Sequence, residues 1–397
     1  MADDSLISRL VTPDLAMDPP GVREEMALCL SGGGYRSMLF QAGALWRLNE
    51  AGILSGIKRF SSVSGGSIAA GALAVAWDGM AWRGGVAQDF YPKVVDPLRK
   101  LAYTTLDRKA VLEGALLPGV DSSDLIVKGY DEALFHRKTL QDLPDWSSGP
   151  EFIFCATSVQ SGSLFRMGRN YLWDYRIGRF DAPRLSVAQA VAASSAFPPV
   201  LSPFRIDCRA SGLQVVEGTG QDLETGAFTE FLYLTDGGVY DNLGIEGAWK
   251  RFRTVFVSDA ELGFEAESEP SENILGHLRR VAAISGRQSV ALRKRFLISA
   301  YESPDKARLG CYWCNRGDVA KYQPRPAPAY PFPVPATEAD TRDLATYPTR
   351  LARVETDYQE RLINWGYLIC DLSLRKHFDP SLALPAQLPF PHRRISP

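Results

Sequence analysis

Three short stretches surround reactive groups with small residues: Ser31-Gly32-Gly33-Gly34-Tyr35-Arg36-Ser37, Ser62-Val63-Ser64-Gly65-Gly66-Ser67 and Thr235-Asp236-Gly237-Gly238. A serine hydroxyl that attacks an ester needs a base for its proton, donors for the developing oxyanion and a fixed approach. Ser64 lies between a β-like run starting at Phe60 and the helix-forming Ile68-Ala69-Ala70-Gly71-Ala72-Leu73. A strand, tight turn and helix in that order present the hydroxyl at a bend, near the positive end of the helix. Gly32, Gly33 and Gly34 can bring consecutive backbone N–H groups close to a substrate oxygen, because glycine accepts positive φ and removes the side-chain obstruction. The Gly65 amide adds a donor directly after the serine. Arg36 supplies a fixed charge for the oxyanion or for the shape of the loop. Taken alone, the Ser64 turn also fits an ordinary strand-to-helix loop.

The base is the more telling question. The four histidines, at positions 136, 277, 377 and 392, have no strand-end or glycine-turn setting. Asp236 follows an apolar strand and precedes two glycines, and strand ends of that kind gather on one edge of an open α/β sheet. It can therefore accept the Ser64 proton directly, as a Ser-Asp dyad. Two other readings stay open. Histidines do follow Asp236 in the order of an α/β-hydrolase esterase with a Ser-Asp-His triad. A glycine loop opening a helix also suits a non-catalytic phosphate or nucleotide module, although the Lys-Ser/Thr ending of such a loop is missing. Asp241 reads as support for the turn after Asp236, and Asp259 as part of an acidic surface loop.

These residues need a frame. Met26-Ala27-Leu28-Cys29-Leu30 has the continuous apolar pattern of a central parallel strand. With the glycine loop, a helix carrying Leu39, Ala42, Gly43 and Trp46, and the Ser64 strand, it makes a βαβ unit. Residues 81–145 read as a mostly helical cap insertion. Further strands are expected at 151–157, 163–167, 231–234 and 254–257, and a small-residue helix at 186–195. A long helix at 272–301 places Ile274, Leu278, Val281 and Leu292 on one face and Arg279, Arg280, Arg287 and Arg293 among its polar positions. Six prolines between 324 and 335 predict an extended linker. Leu351, Val354, Tyr358, Leu362 and Trp365 fit a final amphipathic helix packed on the body. The organisation expected is an N-terminal arm over 1–25, a catalytic domain over 26–302 and a C-terminal extension over 303–397.

The 397 residues are 45% apolar, enough for a sizeable core, and the formal charge of −2 gives no field for nucleic acid. The acidic start lacks a secretory signal, and the longest apolar run, 68–77, is too short to cross a bilayer. Six scattered cysteines read as free thiols, with Cys311 and Cys314 only half a zinc site. A cytoplasmic location follows as the expectation. Trp77, Trp82, Phe90 and Tyr91, with Lys93, Arg99 and Lys100, fit either the core of the cap or a peripheral contact with a membrane interface.

The three glycine-flanked blocks, in this order, resemble the signature blocks of the patatin-like phospholipases. Ala193-Ser194-Ser195-Ala196-Phe197-Pro198 resembles a fourth block that precedes the aspartate in that family. The resemblance covers 30–238. It implies a three-layer α/β/α fold with a mostly parallel central sheet, and hydrolysis of phospholipid or lysophospholipid acyl esters without metal or cofactor. It also implies Ser64 as nucleophile, Asp236 as base, and Gly32, Gly33, Gly34 and Arg36 around the oxyanion. Ser31, Ser37 and Ser62 depart from the family pattern, which has Asp, Gly and Gly at those places.

Overall fold

The computed structural model describes residues 21–107, 122–199, 201–261, 263–264, 266–335 and 337–396. Among these, eleven strands form one sheet: β1 (Arg23–Leu30), β2 (Ile57–Val63), β3 (Glu151–Ser158), β4 (Leu164–Met167), β5 (Tyr171–Asp174), β6 (Gly178–Asp181), β7 (Phe204–Asp207), β8 (Val215–Val216), β9 (Phe231–Asp236), β10 (Phe252–Asp259) and β11 (Leu309–Cys314). Their order is β8-β6-β5-β4-β3-β2-β1-β10-β11, with β9 pairing β3 and β7. β3, β2, β1, β10 and β11 are mutually parallel, and β4 to β9 pair antiparallel. The mostly parallel half of the sheet and its flanking helices form the α/β/α architecture expected.

Eight helices matter here: α1 (Gly34–Glu50), α2 (Gly65–Ala76), α3 (Asp96–Ala102), α4 (Ser122–Tyr130), α5 (Val187–Ser194), α6 (Gly238–Asp241), α7 (Ile274–Glu302) and α8 (Thr356–His377). α1 and α8 cross closely because both lack a side chain at the contact. A Cβ on Gly43 would lie 1.9 Å from the Ile363 carbonyl, and one on Gly366 would lie 2.0 Å from that of Phe40. The buried Asp371 of α8 fastens the crossing by accepting from Arg47 of α1 at 2.6 Å. The final helix therefore packs on the body as expected, although Leu351 and Val354 lie in a buried strap before it.

The structure differs from some of these readings and decides between others. Asp259 is not on a surface loop; it ends β10, buried, and accepts from Lys294 and Tyr312. The apolar face of α7 points outward, with only Val290 and Leu297 buried. The proline segment is docked, with Tyr330, Phe332 and Val334 against the core. Trp77 and Phe90 are buried, and Trp82 and Tyr91 half-buried, so this cluster belongs to the core of the cap. Part of the cap, 108–121, and most of the N-terminal arm lie outside the described residues. The six cysteines are free, as expected.

Candidate active site

Sheet register brings the site together. In β3, Cys155 pairs with Val63 of β2, and the next residue, Ala156, pairs with Asp236 of β9. β2 arrives from one direction and turns away at Ser64; β9 arrives from the other and stops at Asp236. The two strands thus meet end to end beside β3, which places the serine against the aspartate.

Ser64 adopts φ 51° and ψ −120°, a conformation uncommon for a residue with a side chain and typical of a nucleophile elbow. Its surroundings impose the bend. A Cβ on Gly65 would lie 2.1 Å from the Gly34 carbonyl, and one on Gly66 would lie 2.4 Å from that of Leu30. The Ser64 amide donates to Ser194 Oγ at 3.1 Å, and Ser194 Oγ in turn donates to the Cys155 carbonyl at 2.6 Å. Ser67 Oγ bonds Ser194 Oγ at 2.8 Å and Ser62 Oγ at 3.0 Å. The small-residue block also reaches the aspartate, because the Asp236 amide donates to the Ala196 carbonyl and that of Gly237 to the Ser194 carbonyl.

Asp236 is buried, and burial pushes its carboxyl up to about 6. The Gly238 amide, donating to Oδ1 at 2.8 Å, and the Ser64 hydroxyl lying against the carboxylate counter part of that shift. None of the four histidines is near this pair: His392 bonds Glu360, His377 ends α8, His136 ends the helical run of the cap, and His277 is exposed on α7.

The glycine loop divides its work. The Gly32 amide is committed to the Asn242 carbonyl at 3.0 Å, so Gly32 is not a free donor; its lack of a side chain matters because a Cβ would lie 3.1 Å from Ser64 Cβ. Among the described residues the amides of Gly33, Gly34 and Gly65 have no acceptor. Arg36 is directed away from the role of oxyanion ligand. Its guanidinium is buried and donates to the carbonyls of Ala260 and Tyr347, and burial lowers its pKa to about 10. Of its two sequence-level roles, holding the loop is the one these contacts support.

The departures from the family pattern are accommodated. Ser31 Oγ accepts from the Ala260 amide at 2.7 Å, Ser37 Oγ donates to the Ser31 carbonyl at 2.6 Å, and Ser62 Oγ donates to the Ile153 carbonyl at 3.2 Å. Asp241 accepts from the amides of Leu243 and Glu246 and supports the turn, as expected. Sequence reasoning missed three contributors. Ser194 stands out in the sequence only as one member of the small-residue block, while Asn242 sits in the continuation of the Asp236 motif. The 347–351 strap had no motif at all, yet its Arg350 carbonyl accepts from the Tyr35 amide, and a Cβ on Gly34 would lie 2.6 Å from that oxygen.

Fold and site together define an α/β protein with a serine at a strained strand-to-helix turn, hydrogen-bonded to a buried aspartate rather than to a histidine. The family profile described as patatin-like phospholipase matches residues 28–249, more than half of the chain, and the chain belongs to that family. Among solved structures, human GIVD cytosolic phospholipase A2 is similar over 94% of this chain and 64% of its own, at 12% identity and a TM-score of 0.52. The chain thus spans just under two thirds of the length of that relative. VipD from Legionella pneumophila is similar over 86% of this chain and 67% of its own, at 17% identity and a TM-score of 0.32. Among curated proteins, none matches the chain.

Proposed function

We propose that the protein is a lipid acyl hydrolase of phospholipase A or lysophospholipase type that works through a Ser64-Asp236 dyad. The observation that carries this reading is the end-to-end meeting of β2 and β9 on Cys155 and Ala156, which sets the elbow hydroxyl against a buried carboxylate. Ser64 Oγ attacks the ester carbonyl carbon while Asp236 takes its proton. The oxyanion forms beside the unengaged amides of Gly33, Gly34 and Gly65, close to the N-terminal end of α2. The ester C–O bond then breaks, and Asp236 returns the proton to the departing alcohol. Water next attacks the acyl-enzyme, Asp236 accepts one of its protons, and the serine is regenerated with release of the fatty acid.

A carboxyl raised to about 6 suits this cycle, because it is ionised at neutral pH yet a stronger base than an exposed aspartate. The test is fatty acid release from phosphatidylcholine and lysophosphatidylcholine, followed by mass spectrometry for the wild type and Ser64→Ala. Release by the wild type and none by the variant is expected; equal release by both removes the proposal.

A further inference from the structure

The amphipathic helix α7 is turned inside out. Three of its cationic side chains are held by acids: Arg280 pairs with Glu267 of the preceding loop at 2.9 Å, Arg287 with Glu261 at 3.2 Å and Lys294 with the buried Asp259 at 2.5 Å. These three positions recur every seven residues and so lie on one side of the helix. On the other side Ile274, Leu278, Val281 and Leu292 form a stripe that faces solvent, while the half-exposed Phe296 packs edge-on against Trp249: Ile274 is 79% exposed, Leu278 60% and Leu292 59%. Leu275 and Ile284 widen it to about half of the circumference. An ordinary surface helix buries such a stripe against the core.

The position of the stripe relates it to the site. Tyr301 of α7 reaches the Val255 carbonyl in the middle of β10, and Lys294 reaches Asp259 at its end, so the helix runs antiparallel to that strand. The twenty residues before Lys294 then rise on the order of 30 Å past the strand end. β10, β1 and β2 are in register, Ser258 beside Leu30 and Leu30 beside Ser62, so the helix rises from the edge on which Ser64 turns. Phe197 and Val239, which flank Asp236 in the chain and the hydrogen-bond network, are exposed apolar residues near the same edge.

We infer that the N-terminal half of α7 docks the protein on a phospholipid bilayer. The choice of occupant rests on the lipid-hydrolase reading and on the place of the stripe, which rises from the sheet edge on which Ser64 turns, where a bilayer would present its lipids to the site. The apolar arc is also broader than the narrow seam of a two-helix pair, and its width matches a helix lying in an interface.

The test is cosedimentation with vesicles of phosphatidylcholine and phosphatidylglycerol in equal parts, using the wild type, Ser64→Ala and Leu278→Glu/Val281→Glu. Wild type and Ser64→Ala are expected to bind alike, and the double variant at least about tenfold more weakly. On the soluble ester p-nitrophenyl butyrate the double variant should match the wild type, which also shows that it is folded. Equal binding by the double variant, or no binding by the wild type, overturns the inference. So does a wild-type dimer that the double variant converts to monomer without any vesicle binding, which would give the face to a second copy. Absence of ester hydrolysis by the wild type is a separate outcome: it removes the hydrolase reading, while the binding comparison does not depend on Ser64.

Discussion

Ser64 and Asp236 meet because their strands end on neighbouring residues of β3, Val63 against Cys155 and Asp236 against Ala156. Ser194 spans the junction, holding the Ser64 amide through its hydroxyl and the Gly237 amide through its carbonyl. The geometry of the pair is thus set by backbone register and one buried serine, and the consequences can be tested residue by residue.

The pH dependence follows from Asp236. Burial raises its carboxyl to about 6, and in the proposed dyad only the ionised form can accept the Ser64 proton. The pH profile of kcat/KM on a soluble ester should therefore fall as the pH drops through about 6. A profile that is flat down to pH 4 would contradict Asp236 as the base.

The same burial costs stability. A carboxyl with a raised folded-state pKa favours folding most below the ordinary carboxylate range. That contribution declines as pH rises from about 4 to about 6 and stays low above it. Asp236→Asn keeps an acceptor for the Gly238 amide and removes the buried charge. The variant should be inactive, yet more stable at pH 8 by on the order of 1–3 kcal/mol, with the gain vanishing near pH 4. Denaturant melts at both pH values measure this.

Ser194→Ala removes the acceptor of the Ser64 amide and leaves Ser67 with one hydroxyl partner fewer. Loss of these buried bonds should cost about 1–3 kcal/mol of stability. Misplacement of the elbow should lower kcat by roughly 10- to 100-fold with a much smaller change in KM. A wild-type kcat in the folded variant would show that Ser194 does not position the nucleophile.

Gly65→Ala is predicted to be inactive, since its Cβ would fall 2.1 Å from the Gly34 carbonyl and force apart the elbow and the glycine loop. Replacing His277, His377 or His392 singly by Ala should leave esterase activity within about twofold, because none is near the dyad. A loss of two orders of magnitude in any one of them would restore the triad reading.

Much of this site is legible in the sequence, and for a physical reason. A bend as tight as that at Ser64 excludes side chains at Gly65 and Gly66, the loop pressed against it excludes one at Gly32, and the Arg350 backbone excludes one at Gly34, so the geometry leaves a mark in composition. Asp236 is legible through its place at a strand end before two glycines. Other features leave no such mark. The tie between Arg36 and Tyr347 links residues far apart through a backbone carbonyl, to which any residue type contributes equally. Strands β5 to β8 are short pieces of an antiparallel extension, and their apolar runs are too brief to read. For α7 the periodicity predicts the helix correctly, but a 3.6-residue pattern does not say which face meets the body. That face is chosen by acids at the end of β10 and in the loop after it, chiefly Asp259 and Glu261, which draw the cations inward.

The most direct test of the dyad is covalent capture of the nucleophile. The protein should be incubated with a long-chain alkyl fluorophosphonate, digested and mapped by mass spectrometry. A single adduct on the peptide that carries Ser64 is predicted, abolished by Ser64→Ala and slowed by orders of magnitude in Asp236→Asn. An adduct on another residue, or equally fast labelling of Asp236→Asn, would contradict the Ser64-Asp236 mechanism.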